Sequence, residues 1–321
     1  MEKNFLSKRA FLFPGQGSQY PGMGRGLAEA YPAARRVFEA ADRALGFPLS
    51  EVCFRGPAEE LQLTANTQPA ILTVSVAVAE VLKGNGLRPD YVAGHSLGEY
   101  SALVAAGALQ LEDAVRLVRK RGEYMQEAVP VGEGAMAALV GLAPGSTDEI
   151  CRQAAAGQVL SPANLNSPAQ VVVAGNKAAV ERVVDLAKQR GAKMAVLLNV
   201  SAPFHCALMQ PAADRLARDL DAVEFRDPEV PLVSNVDARL VTDGAAAREG
   251  LKRQVTSPVR WEESMRVLRS EGVEVFVEVG PGKVLSGLLR QIDRHAECLR
   301  VDDGATLSEV VARLGAARAV K

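Results

Sequence analysis

The stretch Tyr91-Val-Ala-Gly-His-Ser-Leu-Gly98 decides the fold. Tyr91 to Ala93 is a short apolar run that predicts a buried strand, Gly94 to Gly98 fits the pattern GxSxG, and an alanine-rich helical stretch follows directly. A strand, a sharp turn permitted by glycines and an immediate helix are the context in which GxSxG presents a reactive serine. The stretch therefore predicts one strand–turn–helix unit of an α/β sheet, with Ser96 projecting from the turn.

The same alternation continues on both sides of this stretch. Before it, the apolar run Ala10 to Phe13 leads into the glycine-rich turn Gly15-Gln-Gly-Ser-Gln19, and alanine-rich helical stretches follow. After it, apolar runs at residues 230–234 and 273–279 predict further strands, and the second run ends in the turn Gly280-Pro-Gly-Lys283. Strands that alternate with helices in this way predict a parallel sheet.

A segment of different character interrupts the alternation. Three helix-breaking residues lie within Pro130-Val-Gly-Glu-Gly134 and end a helix there. From residue 135 to residue 199 the patterns predict strand, helix, strand, strand, helix and strand, which is the βαββαβ order of a ferredoxin-like unit. We therefore expect residues 132–200 to form a small subdomain inserted into a larger one made of residues 1–131 and 201–321.

Composition excludes several classes of protein. At 321 residues the chain is long enough for about two domains. Hydrophobic residues make up 48% and charged residues 23%, which is typical of a globular protein and not of a disordered one. The formal net charge of -1 leaves no basic excess, so nucleic acid is not an expected partner.

The cysteines and apolar runs bear on the compartment. The four cysteines are far apart and form no CxxC pair, which argues against a zinc cluster or a disulfide framework and indicates free thiols in a reducing environment. Ala10 to Phe13 is too short for the apolar core of a signal peptide, and Pro69 to Leu82 falls short of a bilayer span. We therefore expect a cytoplasmic protein with no membrane association.

Ser96 is the candidate nucleophile. The helix that begins just after it contributes partial positive charge, and the backbone N–H of Leu97 points to where an oxyanion would form. A GxSxG match can also be an ordinary structural turn, but the strand–turn–helix context favours the nucleophile.

A reactive serine needs a base, and the chain has three histidines. His95 adjoins Ser96, so the two side chains should diverge, and His295 lies in a charged stretch typical of a solvated helix end. His205 follows the last strand of the inserted unit, where a returning loop can reach Ser96, and it is the favoured base. Its neighbour Cys206 is interpreted as a small buried thiol.

Arg121 is the next candidate site residue. The helix predicted from Leu111 to Ala128 has one apolar stripe, and Arg121 falls on that stripe. A buried guanidinium keeps its charge and needs an anion, either a carboxylate of the protein or one on a ligand. Together, Ser96 and Arg121 suggest an acyl substrate that carries a second, free carboxylate.

Two glycine-rich turns fail the patterns of nucleotide-binding loops. In Gly15-Gln-Gly-Ser-Gln19, Tyr20 stands where the third glycine of GxGxxG would be, and this turn can instead supply a second oxyanion donor. Gly280-Pro-Gly-Lys283 lacks the Walker A spacing and is interpreted as a tight turn between a strand and a helix.

Several motifs together resemble one known family, the freestanding malonyl-CoA:acyl carrier protein transacylases of bacterial fatty-acid synthesis. The resemblance spans nearly the whole chain, and ordered motifs at such spacing are far more specific than GxSxG alone. The motifs are Phe13-Pro-Gly-Gln-Gly-Ser-Gln19, Gly94-His-Ser-Leu-Gly-Glu-Tyr-Ser101, Arg121-Gly-Glu-Tyr-Met125, His205-Cys-Ala-Leu-Met209 and Gly280-Pro-Gly-Lys283.

The resemblance implies an α/β-hydrolase-like large subdomain with an inserted ferredoxin-like one and an active site in the cleft between them. It implies a ping-pong transfer of malonyl from malonyl-CoA to the phosphopantetheine thiol of acyl carrier protein, by a monomer that needs no metal or prosthetic group. The implied roles are Ser96 as nucleophile, His205 as base, the N–H groups of Gln16 and Leu97 as oxyanion hole, Arg121 as carboxylate clamp, Gln254 near the carbonyl that orients the base, and Gln68 as a cleft residue.

Alternatives remain open at this point. Phe204 before His205 resembles the malonyl-selective pattern of polyketide acyltransferase domains, so loading of polyketide carrier proteins is possible. A serine hydrolase using Ser96, a later aspartate and His295 would keep the α/β-hydrolase residue order. A non-catalytic module that binds coenzyme A or a carrier protein is a third alternative. For carrier docking, Lys188, Arg190 and Lys193 are a candidate basic patch.

Overall fold

The computed structural model describes residues 7–143 and 145–319. The strands are β1 (Lys8–Phe13), β2 (Tyr91–Gly94), β3 (Gly134–Val140), β4 (Leu160–Ser167), β5 (Gln170–Asn176), β6 (Met194–Leu197), β7 (Leu232–Val233), β8 (Leu240–Val241), β9 (Val273–Val279) and β10 (Glu297–Val301). The α-helices are α1 (Arg25–Ala30), α2 (Pro32–Leu45), α3 (Leu49–Arg55), α4 (Ala58–Gln62), α5 (Thr64–Gly84), α6 (Gly98–Ala105), α7 (Leu111–Glu127), α8 (Thr147–Ala155), α9 (Lys177–Gln189), α10 (Gln210–Asp221), α11 (Gly244–Gln254), α12 (Trp261–Ser270), α13 (Val284–Ile292) and α14 (Gly304–Ala319).

The larger sheet has six strands in the order β10-β9-β1-β2-β7-β8. All neighbours pair in parallel except β7 and β8, which are antiparallel. Side chains on both faces of β1 and β9 are buried, as expected for parallel strands covered by helices, and in β1 this burial accounts for the apolar run Ala10 to Phe13. The predicted α/β class with a parallel sheet is confirmed.

The turns at the ends of β1 and β2 lie side by side. Phe13 pairs with Gly94 at the last register position, so the chain leaves both strands at the same edge of the sheet. The backbone N–H of His95 donates to the Phe13 carbonyl at 2.9 Å. Residues after β1 and residues after β2 therefore meet in space, although some 80 positions separate them in the chain.

Helix α5 runs through the middle of the hydrophobic core. It is 21 residues long and extends beyond the apolar stretch Pro69 to Leu82 at its amino end, where four of the five residues from Thr64 to Gln68 are polar. Among the described helices it is the one long and apolar enough to cross a membrane, and 89% of its most apolar 18-residue stretch is buried inside the protein. Pro69 removes the N–H that would bond to the Ala65 carbonyl, and Arg119 of α7 donates to that carbonyl instead, at 3.2 Å.

The smaller sheet has four strands in the order β4-β5-β3-β6, and every neighbouring pair is antiparallel. The strand and helix order in this segment is the order predicted from the sequence, with bounds that differ by at most two residues. Helices α8 and α9 cover one face through a cluster that includes Leu139, Ile150 and Val183. The other face carries Met136 and points toward the turn that follows β2.

Two backbone hydrogen bonds tie β4 of the smaller sheet to the segment before α12. Leu165 N–H donates to the Val259 carbonyl, and Val259 N–H donates to the Ala163 carbonyl, both at 2.9 Å. These bonds hold the smaller sheet in a fixed position against the segment that precedes α12.

Candidate active site

Two glycines shape the turn that holds Ser96. A Cβ added to Gly94 would lie 1.9 Å from the carbonyl oxygen of Gly98, and one added to Gly98 would lie 2.1 Å from that of Phe13. Both contacts are far inside van der Waals distance and involve backbone that cannot move away. Ser96 itself has φ of 55°, the left-handed conformation of a strained turn.

Asn235, which follows β7, stabilises this turn through two hydrogen bonds of its side chain. Its side-chain Oδ1 accepts from the Ser96 N–H at 2.7 Å, and its Nδ2 donates to the Gly94 carbonyl at 2.6 Å. Both bonds satisfy backbone groups that the sharp turn leaves unpaired. Asn235 belongs to none of the motifs that the sequence offered. The available signal was its position directly after a predicted strand, at the sheet edge where Ser96 also lies.

Ser96 and His205 lie in hydrogen-bond contact. Ser96 Oγ is 2.7 Å from His205 Nε2, and His205 Nδ1 is 2.9 Å from the backbone carbonyl of Gln254. Because a carbonyl can only accept, the proton sits on Nδ1, and Nε2 is left to accept from the serine hydroxyl. His205 also has a positive φ of 60°, a strained backbone conformation in which the imidazole ring faces Ser96.

Burial keeps the imidazole neutral. Removal from water, and then the positive charge of Arg121, lower the pKa of His205 to about 3. At neutral pH its Nε2 is therefore unprotonated and ready to take a proton from Ser96.

Arg121 is buried beside the serine and touches only neutral groups. Its Nη2 donates to Ser96 Oγ and to Gln254 Oε1, both at 3.0 Å, and its Nη1 donates to Gln68 Oε1 at 2.7 Å. Within the described ranges, no salt bridge or hydrogen bond joins Arg121 to a carboxylate. Of the two anions considered from the sequence, a carboxylate of the protein is therefore not the direct partner.

A cavity of about 120 Å³ opens in front of these residues. Twelve residues line it: Gln16, Gln68, His95, Ser96, Leu97, Arg121, Met136, Asn164, Leu198, Val200, Phe204 and His205. Six of the seven predicted site residues are in this set, and the seventh, Gln254, hydrogen-bonds to Ser96, His205 and Arg121 from behind. The smaller sheet and its exit segment supply Met136, Asn164, Leu198 and Val200, so the cleft has walls from both sheets.

Gln16 and Leu97 bring two backbone N–H groups to the cavity. Within the part of the chain that the structure describes, neither N–H forms a hydrogen bond. The Gln16 side chain is anchored through Nε2 to Thr64 Oγ1 at 3.2 Å, which holds that turn against α5. Two free N–H groups beside a serine hydroxyl can stabilise an oxyanion.

The other two histidines occupy different places. His95 lines the cavity but turns its Nε2 toward Asn166 Oδ1, 2.8 Å away on β4, and thereby links the serine turn to the smaller sheet. His295 follows α13 and does not line the cavity. Cys206 is buried, its Sγ donates to the Pro203 carbonyl, and burial raises its pKa to about 11.

Comparison with known proteins agrees with this geometry. Residues 10–311 match the family model described as acyl transferase domain. The chain is 52% identical over 313 residues to the malonyl CoA-acyl carrier protein transacylase of Bacillus subtilis, covering 96% of this chain and 98% of the relative. It is 53% identical over 288 residues to the protein of that name from Escherichia coli K12, covering 89% and 93%.

The chain belongs to this acyltransferase family. Among solved structures, the malonyl CoA-acyl carrier protein transacylase of Coxiella burnetii superposes with a TM-score of 0.94 at 46% identity, covering 96% of this chain and 98% of that one. A malonyl-transacylase solved with its type II PKS acyl-carrier protein superposes with a TM-score of 0.93 at 47% identity, covering 96% and 100%. The resemblance inferred from the sequence motifs is thus confirmed, and the chain is an acyltransferase.

Proposed function

We propose that this chain transfers a malonyl group from malonyl-CoA to the phosphopantetheine thiol of an acyl carrier protein, through a malonyl ester on Ser96. One observation carries the proposal. Arg121 is a buried cation that contacts no carboxylate among the residues that the structure describes, and its Nη2 lies 3.0 Å from a serine hydroxyl that is already paired with a neutral histidine. An acyl group with a free carboxylate satisfies both features at once.

In the first half-reaction, Ser96 Oγ attacks the thioester carbonyl of malonyl-CoA while its proton passes to His205 Nε2. The N–H groups of Gln16 and Leu97 stabilise the negative charge on the carbonyl oxygen. The C–S bond then breaks, His205 returns the proton to the departing sulfur, and coenzyme A leaves as a thiol. Malonyl stays on Ser96 as an ester.

In the second half-reaction, the carrier protein's phosphopantetheine thiol enters the emptied site. His205 Nε2 removes its proton, and the thiolate attacks the ester carbonyl. The bond to Ser96 Oγ breaks, and the serine recovers a proton from His205. The malonyl thioester leaves on the carrier protein, and the free enzyme is restored.

Arg121 holds the free carboxylate of malonyl throughout. Its Nη2 donates to Ser96 Oγ in this structure, and a carboxylate is a stronger acceptor than a hydroxyl. The substrate thus draws the guanidinium away from the nucleophile. The amide oxygens of Gln68 and Gln254 keep Arg121 aimed at the cavity without neutralising it. The backbone carbonyl of Gln254 accepts the hydrogen bond from His205 Nδ1, and it thereby has the position that an aspartate has in a Ser-His-Asp triad.

Intact-mass measurement after mixing with malonyl-CoA tests the proposal. We expect a malonyl adduct on the wild type that is lost in Ser96→Ala, and its discharge when acyl carrier protein is added. An adduct that turns over rapidly to free malonate without a carrier would support a serine hydrolase instead. Absence of an adduct on both proteins would support a binding module.

The carrier protein's pathway is tested in the same assay. The similarity to the transacylase solved with a type II PKS carrier keeps polyketide loading as a second candidate. We propose a fatty-acid carrier as the main acceptor. The comparison is the rate of adduct discharge by a fatty-acid carrier and by a polyketide carrier at equal concentrations, and a faster polyketide carrier would reverse the assignment.

We also infer that residues 132–200 form a ferredoxin-like subdomain inserted into an α/β-hydrolase-like subdomain of residues 1–131 and 201–321. The separate antiparallel sheet and its own hydrophobic cluster support the small subdomain, and the parallel sheet supports the large one. Amide hydrogen exchange should separate the two sheets into different cooperative units. A single unit for all ten strands would contradict this division.

A cytoplasmic monomer with a basic docking patch completes the proposal. Four free cysteines, three of them buried, support a reducing compartment. Cell fractionation tests the location and analytical ultracentrifugation tests the oligomeric state. A membrane-bound or dimeric protein would contradict the proposal.

The candidate basic patch for carrier docking consists of Lys188, Arg190 and Lys193. Lys188 and Lys193 are exposed, whereas Arg190 lies 3.7 Å from Glu149 and is partly neutralised. An unchanged KM for the carrier protein in Lys188→Glu/Lys193→Glu would rule out the patch.

A further inference from the structure

Glu99 is a buried carboxylate that the mechanism above does not use. It lies in the first turn of α6, three residues after Ser96, and its side chain is 1% exposed. Its Oε2 accepts from Gln254 Nε2 at 2.6 Å, and both of its oxygens lie 3.4 Å from the Asn235 N–H. Burying a carboxylate costs free energy because the charge loses its hydration, and only hydrogen-bond donors or a nearby cation offset that cost.

The position of Glu99 defines the orientation of the Gln254 amide. Gln254 Nε2 faces acceptors only, namely Glu99 Oε2, the Ser96 carbonyl at 3.0 Å and Asn235 Oδ1 at 3.4 Å. The amide oxygen is therefore forced to the opposite side, where it accepts from Arg121 Nη2. Of the acceptors, Glu99 forms the shortest bond and the only charged one, so it contributes most to this orientation.

The same arrangement places the negative charge of Glu99 near Arg121 without direct contact, because the Gln254 side-chain amide lies between the two groups. A carboxylate in direct contact would form a bidentate pair with the guanidinium and compete with the substrate. Through Gln254, Glu99 balances the buried positive charge while the guanidinium face toward the cavity stays free. Burial raises the pKa of Glu99 to about 7, and the bonds from Gln254 and Asn235 and the charge of Arg121 act against that rise, so the group is ionised in mildly alkaline solution.

We propose that Glu99 is a positioning residue for acyl selectivity: it orients Gln254 and balances Arg121 from a distance, so that the guanidinium is both fixed and available to a substrate carboxylate. This role rests on the proposed malonyl transfer. It assigns the malonyl preference to a four-residue set in which Arg121 and Gln68 line the cavity and Gln254 and Glu99 lie behind them.

The test compares Glu99→Gln with Glu278→Gln at pH 8. Glu278 is the matched control, because it is equally buried and accepts two backbone N–H groups, from Leu285 and Ser286, outside the active-site network. The neutral amide at position 99 removes the counter-charge and is a weaker acceptor for Gln254 Nε2 than a carboxylate, so Gln254 is held less firmly with its Oε1 toward Arg121. We expect the ratio of kcat/KM for malonyl-CoA to that for acetyl-CoA to fall at least about fivefold in Glu99→Gln and to stay unchanged in Glu278→Gln.

A second variant keeps the test decisive if Glu99→Gln folds poorly. Glu99→Gln/Gln254→Glu exchanges amide and carboxylate, so the hydrogen bond between the two positions and the net charge are kept, but the carboxylate now faces Arg121 directly. The ratio should fall here too, because the guanidinium is occupied. A wild-type ratio in either folded variant, or equal losses for both acyl donors, would overturn the role of Glu99. A wild type that forms no malonyl adduct would refute the proposed function itself.

Discussion

Arg121 Nη2 lies 3.0 Å from Ser96 Oγ, so a buried guanidinium and the serine hydroxyl share one site. Few side chains can hold a buried charge next to a hydroxyl without a carboxylate beside it, because the charge loses its hydration. The three amide and hydroxyl oxygens around Arg121 offset part of that cost. Under the proposed function, the carboxylate of malonyl would recover the remainder on binding.

Arg121→Ala should therefore reduce malonyl transfer far more than acetyl transfer. Hydrogen bonds to charged groups contribute about 1.5–3 kcal/mol, so we expect a loss of roughly 10- to 150-fold in kcat/KM for malonyl-CoA relative to acetyl-CoA. Steady-state transfer to carrier protein measures both values. Arg116→Ala, an exposed arginine of the same helix, should leave the ratio unchanged. Equal losses for the two donors would exclude Arg121 as the carboxylate clamp.

His205→Ala should slow acylation of Ser96 by about 100- to 10,000-fold, because the hydroxyl then loses the base that takes its proton. Quenched-flow formation of the malonyl adduct is the measurement. His295→Ala is the matched control and should acylate at the wild-type rate. The reverse pattern, with His295 essential and His205 dispensable, would favour the hydrolase.

The pH dependence of stability should also report on His205. Its pKa is about 3 in the folded protein against an ordinary 6.5, so the unfolded chain binds a proton that the folded one does not as the pH falls from 6.5 toward 3. At pH 5 this destabilises the fold by about 2 kcal/mol relative to pH 7.5. Urea unfolding at the two pH values should show His205→Ala losing less stability than the wild type by about that amount. Equal losses would mean that His205 titrates normally in the folded protein.

Gly98→Ala should lower the free energy of unfolding by at least about 3 kcal/mol, because the new methyl group would overlap the Phe13 carbonyl. Gly287 offers the opposite case. It lies exposed inside α13, and no heavy atom lies within 4 Å of an added Cβ, so Gly287→Ala should stabilise the protein by about 0.5–1 kcal/mol. Denaturant titration of the two variants measures both effects. A tolerated Gly98→Ala would show that the two turns can separate.

Local patterns were sufficient for much of the architecture. Residues 91–94 and 273–279 could be predicted as strands because both are short and rich in apolar residues, as is typical of strands that a parallel sheet buries on both faces. Helix α7 carries an amphipathic stripe, so its boundaries and the inward direction of Arg121 could be predicted. The glycines of the GxSxG turn identified Ser96 for a similar reason, since the strained turn has few residue types that fit.

Other elements left weaker signals. Helices α3, α4, α10, α11 and α14 and strands β8 and β10 were not predicted. Helix α11 has two glycines and few large apolar residues, but Asp243 caps it, with Oδ1 accepting from Ala246 N–H at 2.7 Å. That cap was readable in the sequence. It matters because α11 ends at Gln254, which touches the nucleophile, the base and the cation.

The chain by itself specified which residue types could do chemistry: a serine on a strained turn, three histidines to choose among, and one arginine on an apolar face. Long-range packing selected among them. The choice of His205, the neutral surroundings of Arg121 and the hydrogen bonds of Asn235 and Glu99 depend on contacts between positions 25 to 155 residues apart, such as the 2.7 Å bond from Ser96 to His205. Hydrogen bonds reach about 3 Å and leave no periodic trace in sequence, whereas burial of a helix or strand face does.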